Sequence, residues 1–341
     1  MISRRDLVTG SLALAAGLLA RPAALGGSRQ SARATIDTVT GPVLLARLGV
    51  TLMHEHVLVD FIGAADVSPS RYDRDQAFAV ILPHLRQLAS LGCETLVECT
   101  PAYLGRDVEL LRRLSSASGL TILTNTGIYG AASDKHLPAF AFSETAEQLS
   151  GRWTREWTDG IDGTGIKPAF MKIGVDGAPL SDIDAKLVRA AASTTRATGL
   201  TVASHTGSGA AALEELAILE TAGAPLSSFI WVHAQSEKDR SFHVRVAERG
   251  AWVEFDGVGP SSVDDHVALV RNMKDRGLLS RVLVSHDAGW YHVGEPGGGK
   301  FRPFDTLFTS LVPALKANGF TESQVRQLLI ENPRNALSGA P

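Results

Sequence analysis

Eight short apolar runs, separated mostly by stretches of helical spacing, constrain this chain more than any other feature. The runs cover residues 50–60, 94–100, 120–127, 169–174, 200–206, 229–234, 251–257 and 281–287. They are continuous apolar runs rather than clean polar–apolar alternations, as expected for parallel strands covered on both faces. Helical spacing is read over 75–91, 106–118, 180–198, 210–222, 237–249 and 263–277, and two more helices close the chain near 305–318 and 322–337. Strand–helix alternation in this number predicts an α/β fold, a (β/α)8 TIM barrel. The rival, an open doubly wound sheet, would carry a glycine-rich phosphate loop after its first strand. His54-Glu55-His56 stands there instead. A short N-terminal hairpin is expected over 35–48, turning at Gly41-Pro42.

Residues 1–34 read as a twin-arginine signal peptide. Arg4-Arg5 precede an apolar stretch from Leu12 to Ala20, and Ala32-Arg33-Ala34 gives an A-x-A cleavage pattern. That stretch is too short to span a bilayer, so no integral span is expected in the mature chain, residues 35–341, and the protein is expected to be exported to the periplasm or secreted. The net charge of -3 gives no pull toward nucleic acid. The two cysteines, Cys93 and Cys99, are six residues apart along one strand. That places them roughly 20 Å apart, too far for a mutual disulfide.

The unusual polar residues fall at one end of the strands. His54 and His56 sit late in strand one, Lys172 late in strand four, and His205, His233 and Asp287 at the ends of strands five, six and eight. Barrel active sites form on that rim. Residues i and i+2 of a strand share a face, so His54 and His56 can bind one ion together while Glu55 turns away. Imidazole and carboxylate suit zinc, with cobalt, manganese or iron also fitting. A lysine in an apolar strand is costly to bury charged, and burial favours the neutral amine. A neutral amine can add carbon dioxide, and the resulting carbamate has two oxygens able to bridge two metals.

Thr51-Leu52-Met53-His54-Glu55-His56, Met171-Lys172, Ser204-His205-Thr206, Val232-His233 and Val284-Ser285-His286-Asp287 together resemble the phosphotriesterase family of the amidohydrolase superfamily. Gly105-Arg106-Asp107 and Glu331-Asn332-Pro333 are similar to family segments as well. The resemblance implies two divalent metal ions. His54, His56 and Asp287 would hold the more buried ion, and His205 and His233 the more exposed one. A carboxylated Lys172 and a hydroxide would bridge the two ions. Asp287 would take the proton from the attacking hydroxide. The implied reaction is hydrolysis of a small-molecule ester or lactone, with phosphotriester hydrolysis as the alternative and an exported metal- or ligand-binding protein without catalysis as a third reading. A homodimer is compatible with the resemblance.

Two positions depart from the family pattern. Ser236 stands where many members carry an acid three residues after the strand-six histidine. Asp256-Gly257-Val258 lacks both the Arg-Tyr of lactone-cleaving members and the His of organophosphate-cleaving ones. Tyr129 after strand three, His292, and Lys300 and Arg302 in the glycine-rich loop after strand eight are candidates to contact substrate. His286 is expected to point away from the site, and His84, His136, His243 and His266 to lie on helices or outer segments.

Overall fold

The structure, a computed structural model, describes residues 34–339. The signal peptide expected over 1–34 falls, save for its last residue, outside them. Eight parallel strands form the centre: β1 (Thr51–Val59), β2 (Thr95–Glu98), β3 (Thr121–Leu123), β4 (Phe170–Val175), β5 (Val202–Thr206), β6 (Phe229–Val232), β7 (Trp252–Phe255) and β8 (Val282–Val284). Each is bonded to the next in sequence order, with the continuation of β3 at Asn125–Thr126 bonding β4. A further strand, β9 (Gly289–His292), lies parallel to β1. Closure comes from the Asp287 N–H donating to the His54 carbonyl at 3.0 Å and the His56 N–H donating to the Ala288 carbonyl at 2.8 Å. The ring is therefore complete, as the alternation predicts.

The expected hairpin is present, with Thr35–Ile36 antiparallel to Val43–Leu44. Its Ile36, with nearby Leu45 and Leu48, plugs one end of the ring against Met53, Phe170 and Leu283. Ala336 and Leu337 from the last helix complete that plug. A second core lies between strands and helices, joining residues such as Met171, Ile173 and Trp231 to Leu85, Leu114 and Val188. Burying each such leucine stabilises the fold by about 2 kcal/mol relative to exposing it. No disulfide is needed, and Cys93 and Cys99 are both free and buried. With one end sealed by apolar side chains, polar chemistry is confined to the other, where the strands end.

Two features differ from the sequence reading. The long connection between β3 and β4 holds two helices, Ala139–Ser143 and Ala146–Asp159. The second has a capping box between Thr145 and Gln148 and buries Leu149 and Trp153, signals that stood in the sequence. The eighth strand is shorter than expected, because Asp287 adopts φ 53° and the chain turns there before resuming as β9. Gly289 is required in this turn. It has φ 95°, and a Cβ on it would lie 1.8 Å from the His56 carbonyl oxygen.

Among the described residues no helix is long and apolar enough to cross a membrane.

Glu55 ties β1 to the segment after β8. Its buried carboxylate accepts from the Ser285 hydroxyl at 2.7 Å, from the His286 Nδ1–H at 2.8 Å and from the His286 and Ala288 N–H groups at 3.1 and 2.9 Å. Ser285 Oγ in turn accepts the His54 N–H at 2.9 Å. Glu55→Gln puts an amide donor among these donors. It should lower unfolding stability by on the order of 3 kcal/mol, read from chemical denaturation. An unchanged midpoint would remove Glu55 from the closure.

Candidate metal centre

The strand ends deliver their polar residues to one cavity of about 160 Å³, lined by His54, His56, Lys172, His205, His233 and Asp287. Tyr129 lines it too. Its walls include Val59, Phe61, Pro101, Leu104 and Trp290. All six sequence-predicted metal ligands thus meet in one place.

Local backbone explains how each side chain gets there. In β1, Leu52 joins the outer core and Met53 the inner one. Strict alternation would then turn His54 outward. The pairing with β2 shifts register between Leu52 and Glu55, and this bulge re-aims the strand so that both histidines face inward. In β4 the alternation is regular: Phe170 is inside, Met171 and Ile173 are outside, and Lys172 points in, buried at 2% exposure. Val232 already faces the interior at the end of β6. His233 follows it with φ 64°, a left-handed turn that swings its ring into the cavity as well.

The imidazoles are anchored from behind. His56 Nδ1 is hydrogen-bonded to Thr100 Oγ1 at 2.8 Å. His233 Nδ1 pairs with Asp256 Oδ1 at 2.7 Å. His54 Nδ1 lies 3.1 Å from Asp256 Oδ2 and 3.5 Å from Glu254 Oε2. Such contacts occupy Nδ1 and leave Nε2 as the ligating atom. Nε2 of His54 and of His56 are 3.2 Å apart, and His56 Nε2 is 3.1 Å from Asp287 Oδ1. Two ligand atoms each about 2.05 Å from a tetrahedral zinc ion lie roughly 3.3 Å apart. Asp287 Oδ1 is buried without a hydrogen-bond partner. The donor set therefore fits a cation between His54, His56 and Asp287, a grouping whose ligand atoms all lie within 4.8 Å of one another. The rings of His205 and His233 are 4.5 Å apart.

Electrostatics favour the ligand-competent form at His56, His205 and Asp287 and oppose it at His54. Burial pushes His56 down to about 4. Burial, helped by His233 and Lys172, pushes His205 well below the usual imidazole range. Both are neutral, the form that binds metal. In His54 burial and Lys172 oppose the charge, but Asp256 and Glu254 outweigh them and carry it up to about 10. A cation displaces that proton on binding. Burial would raise the Asp287 carboxyl, yet His56 and His54 hold it below the ordinary carboxylate range.

The other candidates divide. Lys300 is exposed and does not line the cavity. Arg302 is exposed as well; its guanidinium donates to the Asp287 carbonyl at 3.1 Å and sits 4.0 Å from the Trp290 ring centroid. Neither side chain is part of the lining itself, and Arg302 contacts two residues that are, Asp287 and Trp290. His292 stands beside Phe61 and Trp290, outside the lining. His286 turns to Glu55, as expected. His136, read as an outer residue, is buried and lines the cavity. Sequence reasoning also missed Glu254 and Asp256. The signal was two carboxylates at i and i+2 in an apolar strand, the same pattern that marks His54 and His56.

A model of the phosphotriesterase family matches residues 34–337. The chain belongs to the phosphotriesterase family. This family is binuclear and metal-dependent. The phosphotriesterase homology protein of Escherichia coli is 29% identical over 289 residues, covering 84% of this chain and 96% of that one. The organophosphorus hydrolase from Deinococcus radiodurans superposes with a TM-score of 0.80 at 28% identity, covering 92% of this chain and all of that one. A structure described as molecular engineering of organophosphate hydrolysis activity from a weak promiscuous lactonase template superposes at 0.79 with 28% identity, covering 89% and 99%. Both solved structures share the barrel architecture drawn above.

Proposed function

We propose that this phosphotriesterase-family protein is a binuclear metal-dependent hydrolase of ester bonds, with lactones or carboxylic esters as its main substrates. The observation that carries the reading is the convergence of His54, His56, Lys172, His205, His233 and Asp287 on one cavity. His54, His56 and Asp287 would hold one ion and His205 and His233 the other, with Lys172, carboxylated, shared between them. Two such cations, zinc by default, would polarise the scissile carbonyl and lower the pKa of a shared water.

The protein's own groups supply the rest. Asp287 is held as an anion and takes the proton of the attacking water. As the ester C–O bond breaks, Asp287 can pass that proton to the departing alkoxide; its side chain is 22% exposed, so the proton of the acid product can leave to solvent although Ser236 replaces the relaying acid. Val59, Phe61, Leu104 and Trp290 give an apolar wall for the acyl or alkyl part of the substrate. The cavity, about 160 Å³, is small beside typical ligand pockets of roughly 300–1,000 Å³, which favours a compact ester or lactone.

The second reading is organophosphate triester hydrolysis. Its support is the likeness to the Deinococcus organophosphorus hydrolase. Both reactions place negative charge on an oxygen at the same spot, so activity on both is chemically consistent. We also propose export, on the strength of Arg4-Arg5, the apolar stretch and Ala32-Arg33-Ala34.

The test is turnover of the zinc-loaded protein on a panel of lactones, aryl esters and paraoxon. Lactone or ester turnover exceeding that of paraoxon is expected. Paraoxon as the best substrate would favour the second reading, and no turnover on any would leave a binding protein. Asp287→Ala should cut turnover by about 10²–10⁴-fold, and near-wild-type rates would contradict its role. Lys172→Ala should abolish activity and lower zinc content, with partial recovery on adding a small carboxylic acid. Unchanged zinc stoichiometry in this variant would remove Lys172 from the centre.

A further inference from the structure

Gln235 has no part in the reading above. It follows His233 by two residues, in the short turn Ala234–Ser236. Its amide engages Asp256 twice. Nε2 donates to Asp256 Oδ1 at 2.7 Å, and Oε1 accepts the Asp256 N–H at 3.1 Å. Asp256 is completely buried. Its carboxylate also accepts from the His233 N–H at 3.0 Å and pairs with His233 Nδ1 at 2.7 Å. Its Oδ2 lies 3.1 Å from His54 Nδ1. One amide thus fixes one carboxylate, and that carboxylate touches an imidazole from each half of the ligand set.

The amide supplies the donor and the acceptor of this double contact on two separate atoms. A glutamate at 235 would set a second carboxylate against Asp256 Oδ1. The space is made by Gly257. A Cβ at that position would lie 2.8 Å from Gln235 Nε2 and 3.3 Å from its Cδ. Gly257 is not among the residues with positive φ, so its missing side chain serves room rather than a turn.

We propose that Gln235 is a positioning residue of the metal centre: by locking the Asp256 side chain, it aims the Nε2 atoms of His54 and His233 and slows the loss of bound cations. This rests on the binuclear reading.

The test uses the full chain loaded with zinc, with release followed by a chromophoric chelator. Gln235→Ala should release zinc about tenfold faster, the lower end of what support around metal-bound histidines is worth. Gly257→Ala should do likewise, because its methyl displaces the same amide while leaving every ligand in place. The double variant should be no faster than Gln235→Ala alone. The visible absorption of the cobalt-loaded protein should shift in both single variants, a change that a general loss of stability does not produce. Wild-type release rates and spectra in Gln235→Ala would overturn the inference, as would effects of the two substitutions that multiply in full. Should Gln235→Ala fail to fold, Gly257→Ala carries the test through its release rate and cobalt spectrum. A wild-type chain that retains no zinc overturns the binuclear reading itself, whereas zinc held with equal tenacity by wild type and both variants overturns only the role of Gln235.

Discussion

The site depends on what the three residues His54, Glu55 and His56 do at once. The two histidines face the cavity, and the glutamate between them faces the other way and binds the segment that follows β8. That segment carries Asp287. The side chain that closes the ring and the side chains that would hold a cation are therefore set by one short stretch of backbone. A slip of one residue in β1 would exchange their faces and lose both functions together.

The remaining ligands arrive by less regular means. Lys172 follows simple alternation along β4, whereas His233 and Asp287 rely on left-handed backbone at φ 64° and 53°. Such conformations are uncommon for residues other than glycine and cluster at functional sites. Here they occur where a strand stops and its last polar side chain has to be redirected. Behind the rings stand Thr100, Asp256 and Glu254, so the centre is a packed polar network rather than a loose group of ligands. The barrel floor below it is apolar, which makes misdirected polar groups costly.

Much of this was legible in the sequence. The strand–helix rhythm gave the barrel, and the positions of the six polar residues at strand ends gave their convergence. Three things were not read. The bulge in β1 leaves no mark in residue type, because His-x-His has the same spacing whether or not the preceding residues are in register. Glu254 and Asp256 did have the mark, but acids behind a ligand carry no motif of their own; Asp256 was seen only within a departure from known substrate patterns, and Glu254 not at all. Lys300 and Arg302 were placed by their position after β8. Positive charge near a site says nothing of direction: Arg302 reaches the Asp287 carbonyl and the Trp290 ring, and Lys300 is exposed outside the lining.

The central claim is that these side chains form one centre for two cations. Among the described residues two groupings could each hold a single ion, His54 with His56 and Asp287, and His54 with His233 and Asp256. Anomalous scattering at the zinc edge from crystals of the zinc-loaded protein separates them. The account predicts two peaks, one at His54, His56 and Asp287 and one at His205 and His233, with the Lys172 side chain reaching both. A single peak, or a peak bonded to Asp256, would contradict it.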